Sequence, residues 1–269
     1  MALAAGAALS CAGAGFQGIF RNPLAEPYLL GVSAGAALGG TIAILLRPLQ
    51  ALSIYRVPLF AFVGASLAAF LVYRLATFSG RTGSSALLLA GVAVGSTLTA
   101  IMSFLMVATE KDLHTVMVWL MGGLGASTWP KVLIVLPLTV AAFVYLWLMS
   151  RHLNLLLLGE ERAQQLGIDS YRTRRNVMLV ASLVTAAAVA FTGLIGFVGL
   201  MVPHIMRLIV GPDHRRLLPA TALFGGFLLL LADTIARTVL APAEIPVGII
   251  TAACGGPFFL YLLRTHRGV

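Results

Sequence analysis

Nine stretches of this chain are long, apolar and almost free of charge, and they leave few ways to fold it. They run roughly over 1–20, 29–46, 57–78, 86–108, 132–150, 176–194, 195–210, 217–240 and 247–263. A helix crosses the hydrocarbon of a bilayer in about 20 residues. Inside lipid every backbone N–H and C=O needs a partner within its own segment or in a closed barrel, and these runs lack the alternation of barrel strands. The prediction is an all-α, polytopic membrane helix bundle with about nine transmembrane helices. Composition agrees: 59% of the residues are hydrophobic and 10% charged, against about 25% charged in a soluble domain. Gly and Ala recur within the runs, as in AGAALSCAGAGFQG, which lets helices approach closely.

The weakest boundary is near 194, where only Thr192 and Gly193 stand between one apolar run and the next; a tight re-entrant turn is expected there. Leu113 to Met121, ahead of Gly122 and Gly123, reads as a partial helix at the membrane surface. With nine spans, Arg47, Arg56, Lys111, Lys131 and Arg237 fall on one side, and the other 13 of the 18 Lys and Arg fall opposite. The positive-inside rule makes the richer side cytoplasmic, with the C-terminus inside and Met1 outside. That distribution also accounts for the net charge of +9 without nucleic acid, because the arginines are scattered through short connectors. The opening MALAAGAAL lacks the basic flank and cleavage site of a signal peptide.

Several short patterns point to chemistry that their setting excludes. GAGFQG at Gly13 to Gly18 fits a dinucleotide fingerprint, but no strand precedes it. GVSAG around Ser33 fits a nucleophile elbow, with His204 a conceivable base for an intramembrane serine hydrolase, yet that elbow needs a strand-to-helix turn. No P-loop string occurs, so the chain binds no ATP by that route. Cys11 and Cys254 lie in separate apolar runs without metal spacing. No catalytic residue, metal site or bound cofactor is expected.

Three polar stretches remain. RNPLAEPYLL packs Arg21, Asn22, Pro23, Glu26 and Pro27 between two apolar runs; the prolines forbid a continuing helix, and Asn22 and Glu26 can satisfy freed backbone groups. RHLNLLLLGEERAQQLGIDSYRTRR is the longest polar insertion. Gly159 and Gly167 break it into two short helices in which Leu158, Ala163 and Leu166 can share one face while Glu160 and Glu161 meet water. It reads equally as a docking element for a soluble partner or as a solvated loop. Asp233 and Arg237 stand at i and i+4 in a membrane run, where an ion pair is the default. Glu244 reads as a turn residue, and His204 after Pro203 as a structural residue at a kink.

RNPLAEPYLLGVSAGA resembles the signature of FecCD-type permeases, the membrane subunits of ABC importers for ferric siderophores, haem and cobalamin. The likeness continues in family order through LLLAGVAVGS, VMVWLMGGLGAS, LLLLGEERAQQLGI, GFVGLMVPHIMR, DHRRLLPATALFGG, LLLADTIAR and APAEIPVGIITAACGGPFFLYLL. Cobalamin and haem permeases are the most similar. The resemblance implies a type II ABC importer permease architecture over 1–269, normally of ten helices, with this chain starting inside the second. It implies a homodimer that works by alternating access in the bacterial or archaeal cytoplasmic membrane. Two separate cytoplasmic ATPases would use ATP and Mg, and a periplasmic or lipid-anchored binding protein would deliver the chelate. Coupling helices at about 153–172 would place Gly159, Glu160, Glu161, Ala163, Leu166 and Gly167 at the ATPase. Gly83, Ser84 and Ser85 would form a cytoplasmic gate, and Arg237 would meet a glutamate of the binding protein. A secondary transporter or channel is the rival class, but it would carry ionisable residues along its pore.

Overall fold

The computed structural model describes residues 1–46, 54–78, 84–109 and 112–265. Those residues form α1 (Ala2–Phe20), α2 (Val32–Leu46), α3 (Arg56–Phe78), α4 (Ser84–Ala108), α5 (Leu113–Leu120), α6 (Trp129–Leu148), α7 (Ser150–Leu157), α8 (Glu160–Gln165), α9 (Ser170–Thr192), α10 (Val198–Val210), α11 (His214–Thr238) and α12 (Val247–Thr265). A 3-10 turn, Pro27–Leu30, leads into α2. The described residues contain no strand. Each of the nine apolar runs seats one helix, and α5 is the expected partial one.

Three boundaries differ from the sequence reading. Helix α9 begins at Ser170 rather than near 176, because Asp169 caps it by accepting the Arg172 N–H; the arginines of its first turns are helical, not loop. Helix α11 likewise begins early, capped by Asp213. Helix α10 has only 13 residues, about 20 Å at 1.5 Å per residue, short of the ~30 Å hydrocarbon thickness. The run 195–210 is therefore no full span; irregular chain from 193 to 197 makes up the difference.

Helix α1 is the axis of the bundle. In its apolar window 83% of residues are buried, against 17% in α4, and it packs on α6, α7, α9, α10 and α11. Small residues make this possible. A Cβ on Gly13 would lie 1.7 Å from the carbonyl oxygen of Gly199, so backbone meets backbone where α1 crosses α10. Pro203 explains why that carbonyl is available, since a proline cannot donate to the carbonyl four residues earlier. The next carbonyl, Leu200, accepts from Gln17 Nε2 of α1 at 3.1 Å. Pro219 repeats the device on α11, leaving the Arg215 carbonyl to accept from Trp147 Nε1 at 3.2 Å. At the periphery, large side chains such as Leu133, Leu136 and Trp147 on α6 and Leu89 and Phe104 on α4 are exposed, as lipid-facing surfaces require.

Substituting Gly13→Val should therefore force α1 and α10 apart, costing about 1–3 kcal/mol as core overpacking does. Gly123→Ala, whose Cβ would meet nothing within 4 Å, should be close to neutral. Thermal unfolding of the two variants in detergent measures the difference.

Candidate functional site

An open groove of about 630 Å³ runs between the start of α2 and the length of α4. Its polar lining is Ser33, Ser96, Thr99 and Ser103, set among Gly31 and Gly95. The three α4 hydroxyls stand at helical spacing on one face, and α4 has little of its surface covered by the rest of the chain. Among the described residues no Asp, Glu, His, Lys or Arg lines the groove, so Ser33 has no carboxylate or imidazole base there and the hydrolase reading finds no support. The groove offers a solute hydroxyl and backbone contacts, and its one titratable side chain among the described residues, the Tyr28 phenol, is engaged with Ile195.

Tyr28, at one end of this groove, ties it to the break between α9 and α10. Its hydroxyl donates to the Ile195 carbonyl at 2.9 Å and accepts from the Ile195 N–H at 3.2 Å. The break expected here is present as an unwound segment, opened by Gly193 at φ 70° and closed by Phe197 at φ 67°, rather than as a tight turn. The Gly123 N–H donates to the Thr192 carbonyl at 2.8 Å, which fastens the same segment to the end of α5.

The junction before α2 is built largely as its residues imply. Arg21 closes α1 in the left-handed region at φ 51°. The Asn22 side chain accepts from the Leu24 N–H at 2.9 Å, while Glu26 contributes its backbone carbonyl, which accepts from Leu29. Burial raises the Glu26 carboxyl above its usual range. Pro27 occupies the first position of the 3-10 turn, where its missing N–H costs nothing. The Arg21 guanidinium reaches across to Gly159.

Gly159, with φ 111°, separates α7 from α8, and Gly167, with φ 81°, follows α8. The expected common face of Leu158, Ala163 and Leu166 is corrected by the structure. Ala163 is fully buried, whereas Leu158 and Leu166 are 53% and 57% exposed: Gly159 breaks the register between Leu158 and α8, and Leu166 lies past the last helical residue of α8, where the chain has left helical geometry. Glu160 does not simply meet water either: its carboxylate is 2.6 Å from Arg174 of α9. Glu161 is exposed.

A second anchor was not legible in the sequence. Asn154 of α7 donates through Nδ2 to Asp213 at 2.6 Å. Its Oδ1 lies 2.9 Å from both the His214 N–H and His214 Nδ1, so the fully buried imidazole carries its proton on Nδ1. The Asp213 carboxyl is held below the usual range by the Arg215 N–H and by Asn154. Two side chains 59 residues apart fasten α7 to the corner between α10 and α11; the only sequence signal was an Asp placed to cap a helix.

Arg237 pairs with Asp233 at 3.0 Å, as spacing predicts. Glu244, read as a turn residue, joins them at 3.5 Å from Arg237. His204 is buried on α10 with its ring edge-on to Phe258 of α12. Gly83 lies outside the described residues, and Ser84 and Ser85 are described only as the first turn of α4. Among the described residues no three His, Cys, Asp or Glu side chains cluster as metal ligands would.

The FecCD transport family model matches residues 1–265. The chain belongs to that family. FecCD relatives include the cobalamin import permease BtuC of Halobacterium salinarum, 51% identical over 97% of this chain and 70% of that protein. The hemin transport permease HmuU of Yersinia pestis is 42% identical over 99% of this chain and 80% of that one. A solved inward-facing metal-chelate type ABC transporter superposes with a TM-score of 0.90 at 36% identity, covering 98% of this chain and 83% of the other. This FecCD chain is accordingly a multi-pass membrane permease of the ABC importer type.

Tyr28→Phe removes both bonds to Ile195 and leaves a buried amide N–H and a carbonyl without partners. That should cost roughly 1–3 kcal/mol, seen as a lower unfolding midpoint in detergent and faster proteolysis between α9 and α10.

Proposed function

We propose that this FecCD permease is one half of an ATP-driven importer for a metal chelate: cobalamin, haem or a ferric siderophore. The observation that carries this reading is the uncharged, hydroxyl-lined groove open along one side of α4. An open groove encloses nothing, and a second copy facing it would complete a passage. Charged residues lie outside that groove, which favours a conduit driven by a partner over a pump with its own ion relay.

In this reading two ATPases, using ATP and Mg, bind the cytoplasmic face at α7 and α8, and their closure shifts the bundle between outward and inward states. Gly159, Glu161, Leu166 and Gly167 form the contact, with exposed Leu166 and Glu161 outermost; Ala163, fully buried, seats α8 on the bundle from within and does not meet the ATPase. Glu160 holds α8 to α9 through Arg174 and so transmits the push. Gly83, Ser84 and Ser85 form the inner gate, and small residues there let a bulky chelate pass. On the opposite face Arg237, steadied by Asp233 and Glu244, receives an acidic group of a binding protein. The site is the bacterial or archaeal cytoplasmic membrane.

The test is uptake into vesicles holding the permease with its ATPase and binding protein, supplied in turn with cobalamin, hemin and ferric citrate. ATP-dependent uptake of one of them is expected; uptake by the permease alone, or of none of the three, would overturn the reading. Ser96→Trp should lower uptake at least about tenfold by filling the groove, a barrier of ~1.4 kcal/mol or more, while ATP hydrolysis persists. The double variant Glu160→Arg, Glu161→Arg should hydrolyse ATP without uptake. Exchanging the charges, Glu160→Arg with Arg174→Glu, should recover some of the coupling, which a contact made solely by Glu160 to the ATPase would not allow.

A further inference from the structure

Beneath α8 lies a cavity of about 190 Å³ that transport does not explain. It is walled by the end of α1, the last turns of α3, the first turns of α4, α8 and the start of α9. Two of its lining residues carry buried donors without an acceptor among the described residues: Ser170 Oγ and Arg174 Nε. Ser170 is only 3% exposed. An Arg Nε–H can only donate, so what satisfies it must present oxygen lone pairs, and an unmet buried donor costs free energy.

The rest of the lining has the same polarity. Arg175 places a second guanidinium in the wall, and its Nε donates to the neighbouring Asn176 side-chain oxygen at 3.3 Å. The Tyr73 and Tyr171 hydroxyls lie 2.9 Å apart; one proton serves that bond and the other is free to donate. Among the described residues Glu160 is the single carboxylate in the wall, and it is already paired with the other end of Arg174. The two arginines outweigh it by one positive charge, and all these groups sit on the arginine-rich side of the protein.

We propose that this cavity binds a phosphate group, with Arg174 Nε, Ser170 Oγ, Arg175 and a tyrosine hydroxyl as its donors. Planar guanidinium donors match phosphate oxygens in geometry as well as charge. A phosphate there adjoins the Glu160–Arg174 pair that holds α8 on α9, so its occupancy bears directly on how firmly that helix is seated. The phosphate belongs either to a soluble phosphate ester or to a phospholipid headgroup of the inner leaflet.

The experiment follows thermal unfolding of the full chain in a sugar-headgroup detergent, at constant ionic strength set with sodium chloride. Sodium phosphate is titrated in one arm, and phosphatidylglycerol is mixed into the micelles in the other. Above half-saturation the midpoint should rise by about 3 °C for each tenfold increase in phosphate. The rise should vanish in Arg175→Gln and shrink in Ser170→Ala, a helix-compatible change that keeps the test available if the arginine variant fails to fold. Protection by free phosphate identifies a soluble ester, and protection by the lipid alone identifies a headgroup; either supports the site. No protection in either arm, or equal protection of wild type and both variants, would overturn it.

Discussion

A single phenol holds the unwound segment of this bundle together. In hydrocarbon, a backbone amide without a partner costs several kcal/mol, and the chain between α9 and α10 leaves helical geometry where α1 crosses it at mid-length. Tyr28 satisfies both polar groups of Ile195, and Gly123 takes the last carbonyl of α9. With those bonds in place α10 can begin midway through the bundle and still be stable. They also join the junction after α1 to the groove and to the end of α5, so that three regions of the chain distant in sequence move as one piece.

The same logic governs the prolines. Pro203 and Pro219 each release a carbonyl inside a helix, and each time a neighbouring helix makes use of the place: Gly13 packs its backbone against the Gly199 carbonyl beside the Gln17–Leu200 bond, and Trp147 donates directly to the Arg215 carbonyl. What would be a defect in an isolated helix becomes a contact between two. This is why α1, made mostly of Ala and Gly, can serve as the axis although its own side chains offer little surface to bury.

Most of the fold was legible because lipid leaves so few options. Nine apolar runs became nine helices, the re-entrant break fell at Thr192 and Gly193, and the Asp233–Arg237 pair followed from spacing alone. The errors have a common cause. Charge was read as a mark of loop, yet α9 starts six residues earlier than the apolar pattern, among arginines whose heads reach water while the backbone stays helical. Charge was also read as solvent-facing at Glu160, whose partner on α9 lies 14 positions away, and as a mere turn at Glu244. Pairings set by tertiary geometry leave no local trace, and the link from Asn154 to Asp213 and His214 is the extreme case. The exposed Leu158 and Leu166 failed for a different reason: the glycine at 159 breaks the helical register after Leu158, and α8 ends before Leu166, so the helix on which their shared face depended is not continuous.

The groove along α4 offers a passing solute hydroxyls and bare backbone but no fixed charge. Such a wall creates neither a deep well nor a high barrier along its length. With the proposed passage along this groove, throughput is limited by how quickly the walls rearrange rather than by how slowly cargo lets go, and the wall itself does little to tell one chelate from another.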